Sequence, residues 1–311
     1  MSTIENPVKV IAEIGCNHKG DLDIAKELIR VAAQECKADV AKFQKRTNKE
    51  LLTPEEYNRP HPVPTNSYGA TYGEHREFLE FDVEQHRELV RECEANGIMY
   101  STSVWDLTAA KDMASINPPL LKIPSATNQH YELQNFLCEN YAGEIHVSTG
   151  MTTREEIRKI IDFYKERGRA KDLVVYSCTS GYPVASEDIC LFEIIRMMEE
   201  FGNEVKGVGF SGHHLGIAAD VAALTIGRMC ESQGKGQFTH IERHFTLDRT
   251  WKGTDHSASL EPDGLRQLCQ DLGDVDKALA YKKDEILPVE QVQRDKLKWN
   301  AERHGNLAGA K

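Results

Sequence analysis

Long apolar runs are missing from this sequence of 311 residues, and so is any excess of positive charge. No stretch approaches the roughly 20 apolar residues needed to cross a bilayer, so we do not expect a membrane protein. Residues 1–8 lack the pattern of a signal peptide, and we therefore expect a cytoplasmic location. The 38 basic and 49 acidic residues give a net charge of −11, which argues against nonspecific binding to nucleic acid or anionic membranes.

Paired cysteines are also missing. The eight cysteines are scattered singly, and none forms a C-x-x-C motif. This spacing predicts free thiols in a reducing compartment, without a disulfide framework. The 40% hydrophobic and 28% charged content is that of an ordinary globular protein.

The dominant pattern is an alternation of short apolar runs with segments of helical periodicity. The predicted strands are Val8–Ile14, Asp39–Gln44, Ile98–Ser101, Leu120–Ile123, Glu144–Ser148, Leu173–Ser177, Lys206–Phe210 and Phe238–Glu242. The predicted helices are Asp23–Cys36, Val83–Asn96, Thr108–Ser115, Tyr131–Glu139, Arg154–Arg167, Glu187–Phe201, Leu215–Cys230 and Glu261–Leu279. Eight such units predict the α/β class and a single (β/α)8 TIM barrel, with an open doubly wound sheet as the alternative. No G-x-G-x-x-G motif follows Ile14, which disfavours a dinucleotide-binding fold.

Two segments fall outside the repeat. We expect residues 1–286 to form the barrel, with a long loop at 45–77 that contains four prolines. Residues 287–311 are polar and end in a Gly/Ala-rich stretch, which predicts a C-terminal extension and a frayed tail.

Polar residues follow the predicted strands at the ends where a TIM barrel carries its active site. They include two lysines, several hydroxyls and loop amides. Any one serine or threonine there more often caps a helix, but convergence of all eight strand ends on one rim favours an anion-binding site for phosphate and carboxylate. The main rim positions are Glu13, Lys42, Gln44, Thr102, Lys122, Ser125, Ser148, Ser180, Tyr182, Ser211, His213, Glu242 and His244.

Two histidines are candidate metal ligands. His213 and His244 follow adjacent strands, and neutral imidazoles suit a borderline divalent ion such as manganese. Two ordinary rim histidines remain the alternative. Glu13 and Asp255 are carboxylates on the same rim, suited to binding sugar hydroxyls or moving protons.

Several segments, taken in order, resemble the N-acetylneuraminate (sialic acid) synthase family, closest to its animal-type branch. The matching segments are AEIGCNHKGDLDIAK, AKFQK, TYGEH, STGM, CTSGYP, GFSGHHLGIA, ERHFTLD and TWKGTDHSASLEP. The resemblance runs from about Val8 to about Lys298. It implies a metal-dependent barrel, Mn2+ before Mg2+ or Co2+, that forms a homodimer. The implied reaction condenses phosphoenolpyruvate with N-acetylmannosamine, or its 6-phosphate, and releases phosphate.

The resemblance also implies roles for individual residues. The implied catalytic residues are Glu13, Lys42, Lys122, His213 and His244, of which the two histidines hold the metal. The implied phosphoenolpyruvate ligands are Lys42, Thr102, Lys122, Ser125, Ser148, Ser180, Tyr182 and Ser211. The implied sugar contacts are Glu13, Gln44, Asn66, Tyr182, Glu242 and Asp255. Typical members continue into a small antifreeze-like domain, which we do not expect in residues 287–311.

Other readings of the same residues stay open. The acceptor could be mannose, mannose 6-phosphate or another aldose, with Arg76, Arg249 and Lys252 as candidates for binding a 6-phosphate. A barrel that binds sugar or phosphoenolpyruvate without turnover is a second alternative. A Schiff-base aldolase using Lys122 is a third, and it would be insensitive to chelators.

Overall fold

The computed structural model describes residues 7–300, which contain a closed barrel of eight parallel strands in chain order. The strands are β1 (Lys9–Gly15), β2 (Val40–Lys45), β3 (Met99–Val104), β4 (Leu120–Ile123), β5 (Glu144–Ser148), β6 (Leu173–Cys178), β7 (Gly207–Gly212) and β8 (Phe238–His244). The last strand pairs with the first, with Ile11 opposite Glu242. The predicted TIM barrel is thus confirmed, and the open sheet is excluded.

Helices surround the barrel and also fill the segment between β2 and β3. The helices are α1 (Leu22–Arg30), α2 (Asn48–Leu51), α3 (Pro54–Asn58), α4 (Tyr72–Phe78), α5 (Val83–Asn96), α6 (Leu107–Ile116), α7 (Tyr131–Asn140), α8 (Arg154–Glu166), α9 (Phe192–Phe201), α10 (Ala218–Ser232), α11 (Pro262–Ala278) and α12 (Pro288–Leu297). The predicted long loop 45–77 therefore contains α2, α3 and most of α4. It is ordered because Thr53 and Thr71 each form a capping box, with Glu56 and Glu74.

Strand alternation divides the side chains between two environments. Outward residues such as Phe43 and Val147 pack against the helices in one continuous apolar core. Inside the barrel a small apolar cluster contains Ile11, Val40 and Leu120. Polar inward residues lie above it, toward the carboxyl ends of the strands, and they form the cavity described below.

Three predicted helix boundaries shift for identifiable reasons. The helix expected from Glu187 begins at Phe192, because Cys190 has a positive φ of 54° that interrupts helical backbone. The helix expected from Leu215 begins at Ala218, after Gly216 with a φ of 75°. In the first predicted helix, Asp23–Cys36, the α-helical backbone ends at Arg30, and residues Val31–Glu35 form a π-helical turn.

Within the predicted C-terminal extension, α12 occupies Pro288–Leu297. Proline at its first position is compatible with a helix start, since that residue needs no intrahelical N–H bond. Residues 301–311 of the predicted tail lie outside the described residues, as do residues 1–6. Within 7–300, no helix combines the length and hydropathy needed to cross a bilayer.

Candidate active site

A cavity of ≈ 400 Å³ opens at the carboxyl ends of the barrel strands. Its wall contains most of the residues that the sequence singled out. The predicted site residues that line it are Glu13, Lys42, Gln44, Lys122, Ser125, Ser148, Ser180, Tyr182, Ser211, His213, Glu242, His244 and Asp255. The residues at the carboxyl ends of the strands therefore do converge on one cavity, as strand order predicts. Their catalytic and binding roles remain predictions.

The floor of the cavity is a buried network of two lysines and two glutamates. The Lys42 ammonium forms an ion pair with Glu13 and lies 3.6 Å from Glu242 Oε1. Lys122 Nζ lies 2.6 Å from that same oxygen. All four side chains are at most 6% exposed, so each charge depends on its partners for compensation.

The pKa values of this network follow from burial and pairing. Burial acts to lower the pKa of Lys42, but the charges of Glu13 and Glu242 outweigh it and raise that pKa. Burial lowers the pKa of Lys122, and Glu242 offsets the effect only in part. Burial acts to raise the pKa of Glu242, yet Lys122 and Lys42 bring it down to about 2. Glu242 is therefore ionised at neutral pH.

A group of small hydroxyl residues adjoins the lysines. Ser125 Oγ accepts a hydrogen bond from the Gly150 amide at 3.1 Å, and Ser180 Oγ is buried with no partner. A Cβ at Gly150 would lie 2.3 Å from Ser180 Oγ and 2.8 Å from Ser125 Oγ. A side chain at position 150 would therefore displace both hydroxyls. The space beside Lys122 is thus lined by donors suited to an anion such as phosphate.

The histidine pair lies on the same wall. The rings of His213 and His244 have centroids 5.4 Å apart, and Tyr182 packs against both. His213 Nδ1 donates to the Thr179 carbonyl at 2.9 Å, which leaves its Nε2 as a free lone pair. Burial lowers the pKa of His213 to about 3, and His244 Nδ1 is buried without a partner. Two imidazoles with unused nitrogen atoms fit a divalent metal.

Two predicted contacts do not reach the cavity. Thr102 is buried but faces away from the barrel interior, since its register partner Phe43 packs in the outer core. Its neighbour Ser103 faces inward, opposite Gln44, and accepts a hydrogen bond from Lys42 Nζ at 2.9 Å. Asn66 lies in a short 3-10 turn, half-buried, and is not part of the cavity wall.

The mouth of the cavity has a basic side that sequence reasoning largely missed. It is formed by the segment 45–77 together with one residue after β3: Arg46, His61, Tyr72, His75, Arg76 and Trp105. Of these six residues, the sequence predicts only Arg76 as a candidate for binding a sugar phosphate. The other two such candidates point elsewhere, because Arg249 donates to the Ser257 carbonyl and Lys252 lies over the ring of Tyr68.

Arg46 and Arg76 differ in how their charges are compensated. Arg46 forms an ion pair with Glu80. Arg76 forms no ion pair within residues 7–300, its Nε is buried without a partner, and its guanidinium lies 5.7 Å from the Trp105 ring centre. Burial and then the nearby Arg46 lower its pKa. A buried cation at the mouth of a cavity is well suited to bind an anionic group of a ligand.

Comparison with known proteins identifies the family. A model of the NeuB family matches residues 28–284. The chain belongs to the NeuB family. It is 36% identical over 293 residues to human N-acetylneuraminate-9-phosphate synthase and 34% identical to the Mus musculus protein of that name, covering 94% of this chain and 77% of each relative.

A solved structure gives the same result. The N-acetylneuraminic acid synthetase of Leptospira borgpetersenii, crystallised with citrate, superposes with a TM-score of 0.75 at 25% identity. The match covers 95% of this chain and 94% of that one. The family resemblance inferred from the motifs is thereby confirmed.

The network on the cavity floor gives a pH-dependent prediction for Glu242→Gln. A carboxylate whose folded-state pKa is lowered stabilises the protein above its unfolded-state pKa, and that stability is lost as the pH falls through the folded-state value. The pKa of Glu242 falls from 4.5 to about 2 on folding. We expect the variant to lose about 3 kcal/mol of unfolding free energy at pH 7.

Urea unfolding of both proteins across pH measures this effect. The difference between wild type and variant should shrink as the pH falls from about 4.5 toward about 2. Glu94→Gln, at an exposed position of α5, is the control and should follow the wild-type curve. Parallel curves for Glu242→Gln and wild type would contradict the charge network.

Proposed function

We propose that this chain condenses phosphoenolpyruvate with N-acetylmannosamine 6-phosphate, giving N-acetylneuraminate 9-phosphate and phosphate. One observation carries the proposal: a single cavity combines a buried lysine pair, the histidine pair and an arginine that has no carboxylate partner among the described residues. The same cavity contains a hydroxyl cradle, formed by Ser125, Ser148 and Ser180. The names of the human and mouse relatives support the same product. The unphosphorylated acceptor, or another aldose, is the alternative.

The lysines and the hydroxyl cradle are proposed to bind phosphoenolpyruvate. Its phosphate would lie among Ser125, Ser148 and Ser180, beside Lys122, and its carboxylate near Lys42. In the free protein Glu242 neutralises Lys122, so an arriving anion meets donors that are already oriented. Ser103, which hydrogen-bonds Lys42, takes the place that Thr102 was expected to occupy.

His213 and His244 are proposed to hold the divalent metal, with Mn2+ the expected ion. When bound, such an ion supplies Lewis-acid polarisation of the open-chain aldehyde of the sugar. The chain's own part is to keep the His213 imidazole neutral by burial, which lowers its pKa to about 3, and to orient its ring through the Thr179 carbonyl.

The reaction is balanced by one water molecule. Carbon 3 of phosphoenolpyruvate bonds to the aldehyde carbon, and the hydroxyl of water adds to carbon 2. The remaining proton of that water is transferred to the aldehyde oxygen. The tetrahedral carbon then expels phosphate by breaking its carbon–oxygen bond, and its hydroxyl proton leaves with the phosphate. Glu13, paired with Lys42 and accepting from Gln44 Nε2 at 3.1 Å, is the proposed proton carrier.

The acceptor is proposed to enter beside Gln44 and Asp255, with its phosphate at Arg46 and Arg76. Both arginines line the cavity, and Arg76 has no carboxylate partner among the described residues. Guanidinium groups bind phosphate through paired hydrogen bonds. We also propose a homodimer and a cytoplasmic location; all eight cysteines are free thiols, which suits a reducing compartment.

Phosphate release from phosphoenolpyruvate tests the function directly. We expect manganese-dependent release with N-acetylmannosamine 6-phosphate and much slower release with N-acetylmannosamine, mannose or mannose 6-phosphate. A chelator should abolish turnover, and added Mn2+ should restore it. Turnover that persists in chelator would instead favour a Schiff-base aldolase, and absence of release with every acceptor would contradict the proposal.

A matched pair of variants tests which hydroxyl of β3 serves the substrate. Ser103→Ala removes the hydroxyl that accepts a hydrogen bond from Lys42 and should lower kcat/KM for phosphoenolpyruvate roughly 10- to 100-fold, the value of a hydrogen bond to a charged group. Thr102→Val changes an outward side chain of the same strand and should leave kcat/KM within about twofold. A larger loss of kcat/KM in Thr102→Val than in Ser103→Ala would contradict the assignment of Ser103 to the inward face of β3.

Arg76→Met tests the acceptor phosphate. Loss of a charge-assisted contact should lower kcat/KM for N-acetylmannosamine 6-phosphate roughly 10- to 100-fold and should affect the unphosphorylated sugar little. Lys252→Met, an exposed cation outside the cavity, is the control. Equal losses for both sugars, or none, would remove Arg76 from phosphate binding.

A further inference from the structure

A second cluster of potential metal ligands lies inside the barrel, away from the cavity. It consists of Glu144 and His146 on β5 and His240 on β8. None of the three belongs to the cavity wall. Glu144 opens β5 at the amino-terminal end of the barrel, where its side chain is 26% exposed, while both histidines are buried.

The three side chains converge on one point. Each offers a donor atom, and these atoms all lie within 4.8 Å of one another. Glu144 Oε2 is 3.3 Å from His146 Nε2, and the rings of His146 and His240 have centroids 4.7 Å apart. A metal at that point would join β5 to β8, two strands that are not neighbours in the barrel.

A contact at Nδ1 fixes the orientation of each imidazole ring. His146 Nδ1 lies 2.7 Å from the Tyr176 hydroxyl, and His240 Nδ1 lies 2.9 Å from Thr239 Oγ1. These contacts direct both Nε2 atoms toward the cluster, as outer partners of metal-binding histidines do. His240 is only 3% exposed, so water does not reach its Nε2 freely, and that atom has no hydrogen-bond partner in the protein. Such an atom has a lone pair that no protein group uses.

The local charges keep the ligands in binding form. Burial lowers the pKa of both histidines, which are therefore neutral at pH 7. Burial acts to raise the pKa of Glu144, but His146 and Lys206 bring it down to about 2. Lys206 Nζ lies 3.0 Å from Oε1, whereas Oε2 faces His146 Nε2. The other charged groups that face the histidines are Lys9, Lys122 and Glu242.

We propose that Glu144, His146 and His240 form a second divalent-metal site of the zinc type, separate from the His213–His244 pair. Two imidazoles and one carboxylate are a common zinc ligand set, and they leave a fourth position for water. The ion would enter from the amino-terminal end of the barrel and stabilise it by connecting opposite walls. The proposal stands independently of the proposed reaction.

The test uses the full chain with the cavity pair removed. A His213→Ala/His244→Ala protein, stripped by chelator, is titrated with Zn2+ by calorimetry and followed by thermal unfolding. We expect one Zn2+ to bind per chain and the Tm to rise by several degrees. No binding would overturn the proposal.

Further substitutions in that background assign the ligands. Glu144→Gln, at the exposed edge of the cluster, should weaken Zn2+ binding at least about tenfold, and His240→Gln should abolish it. Circular dichroism of the metal-free proteins verifies that both fold, and Glu94→Gln is the control. Binding that survives both substitutions would refute the assignment.

Co2+ as a probe separates this site from the cysteines. Nitrogen and oxygen ligands should give visible bands without the near-ultraviolet charge-transfer absorption of thiolate ligands. These bands should disappear in His240→Gln. Strong thiolate absorption would place the ion at cysteine and contradict the proposal.

Discussion

Charge balance at the floor of the barrel is the constraint on which the candidate site depends. A closed barrel removes its interior from water, so Lys42 and Lys122 can remain charged there only beside Glu13 and Glu242. The glutamates keep the lysines oriented before any substrate arrives. An anion that enters the cavity then finds fixed donors, and little reorganisation is needed when it binds.

The barrel separates the chemistry along its axis. The lysine network, the hydroxyl cradle and the His213–His244 pair occupy the carboxyl ends of the strands, where the segment 45–77 adds two arginines. Apolar residues such as Ile11 and Leu120 fill part of the interior below. Glu144, His146 and His240 form a second polar group toward the other end, which the proposed reaction does not use.

Much of this arrangement was predictable from sequence because strand order fixes which residues share a rim. The β3 segment was the exception, since a Ser-Thr-Ser run does not reveal which hydroxyl faces inward until the pairing of Thr102 with Phe43 is known. The segment 45–77 looked like a proline-rich loop, but its Thr-x-x-Glu capping boxes signalled short helices. The role of Arg46 could not be predicted from sequence, because a cation just after a strand resembles an ordinary surface charge.

A crystal structure with Mn2+, phosphoenolpyruvate and the alditol of N-acetylmannosamine 6-phosphate tests the account most directly. The alditol lacks the aldehyde, so both substrates can be seen without turnover. The account predicts phosphoenolpyruvate on Lys42 and Lys122 with its phosphate among the serine hydroxyls, and the sugar phosphate on Arg46 and Arg76. A sugar phosphate bound away from these arginines, or phosphoenolpyruvate bound away from the lysines, would contradict it.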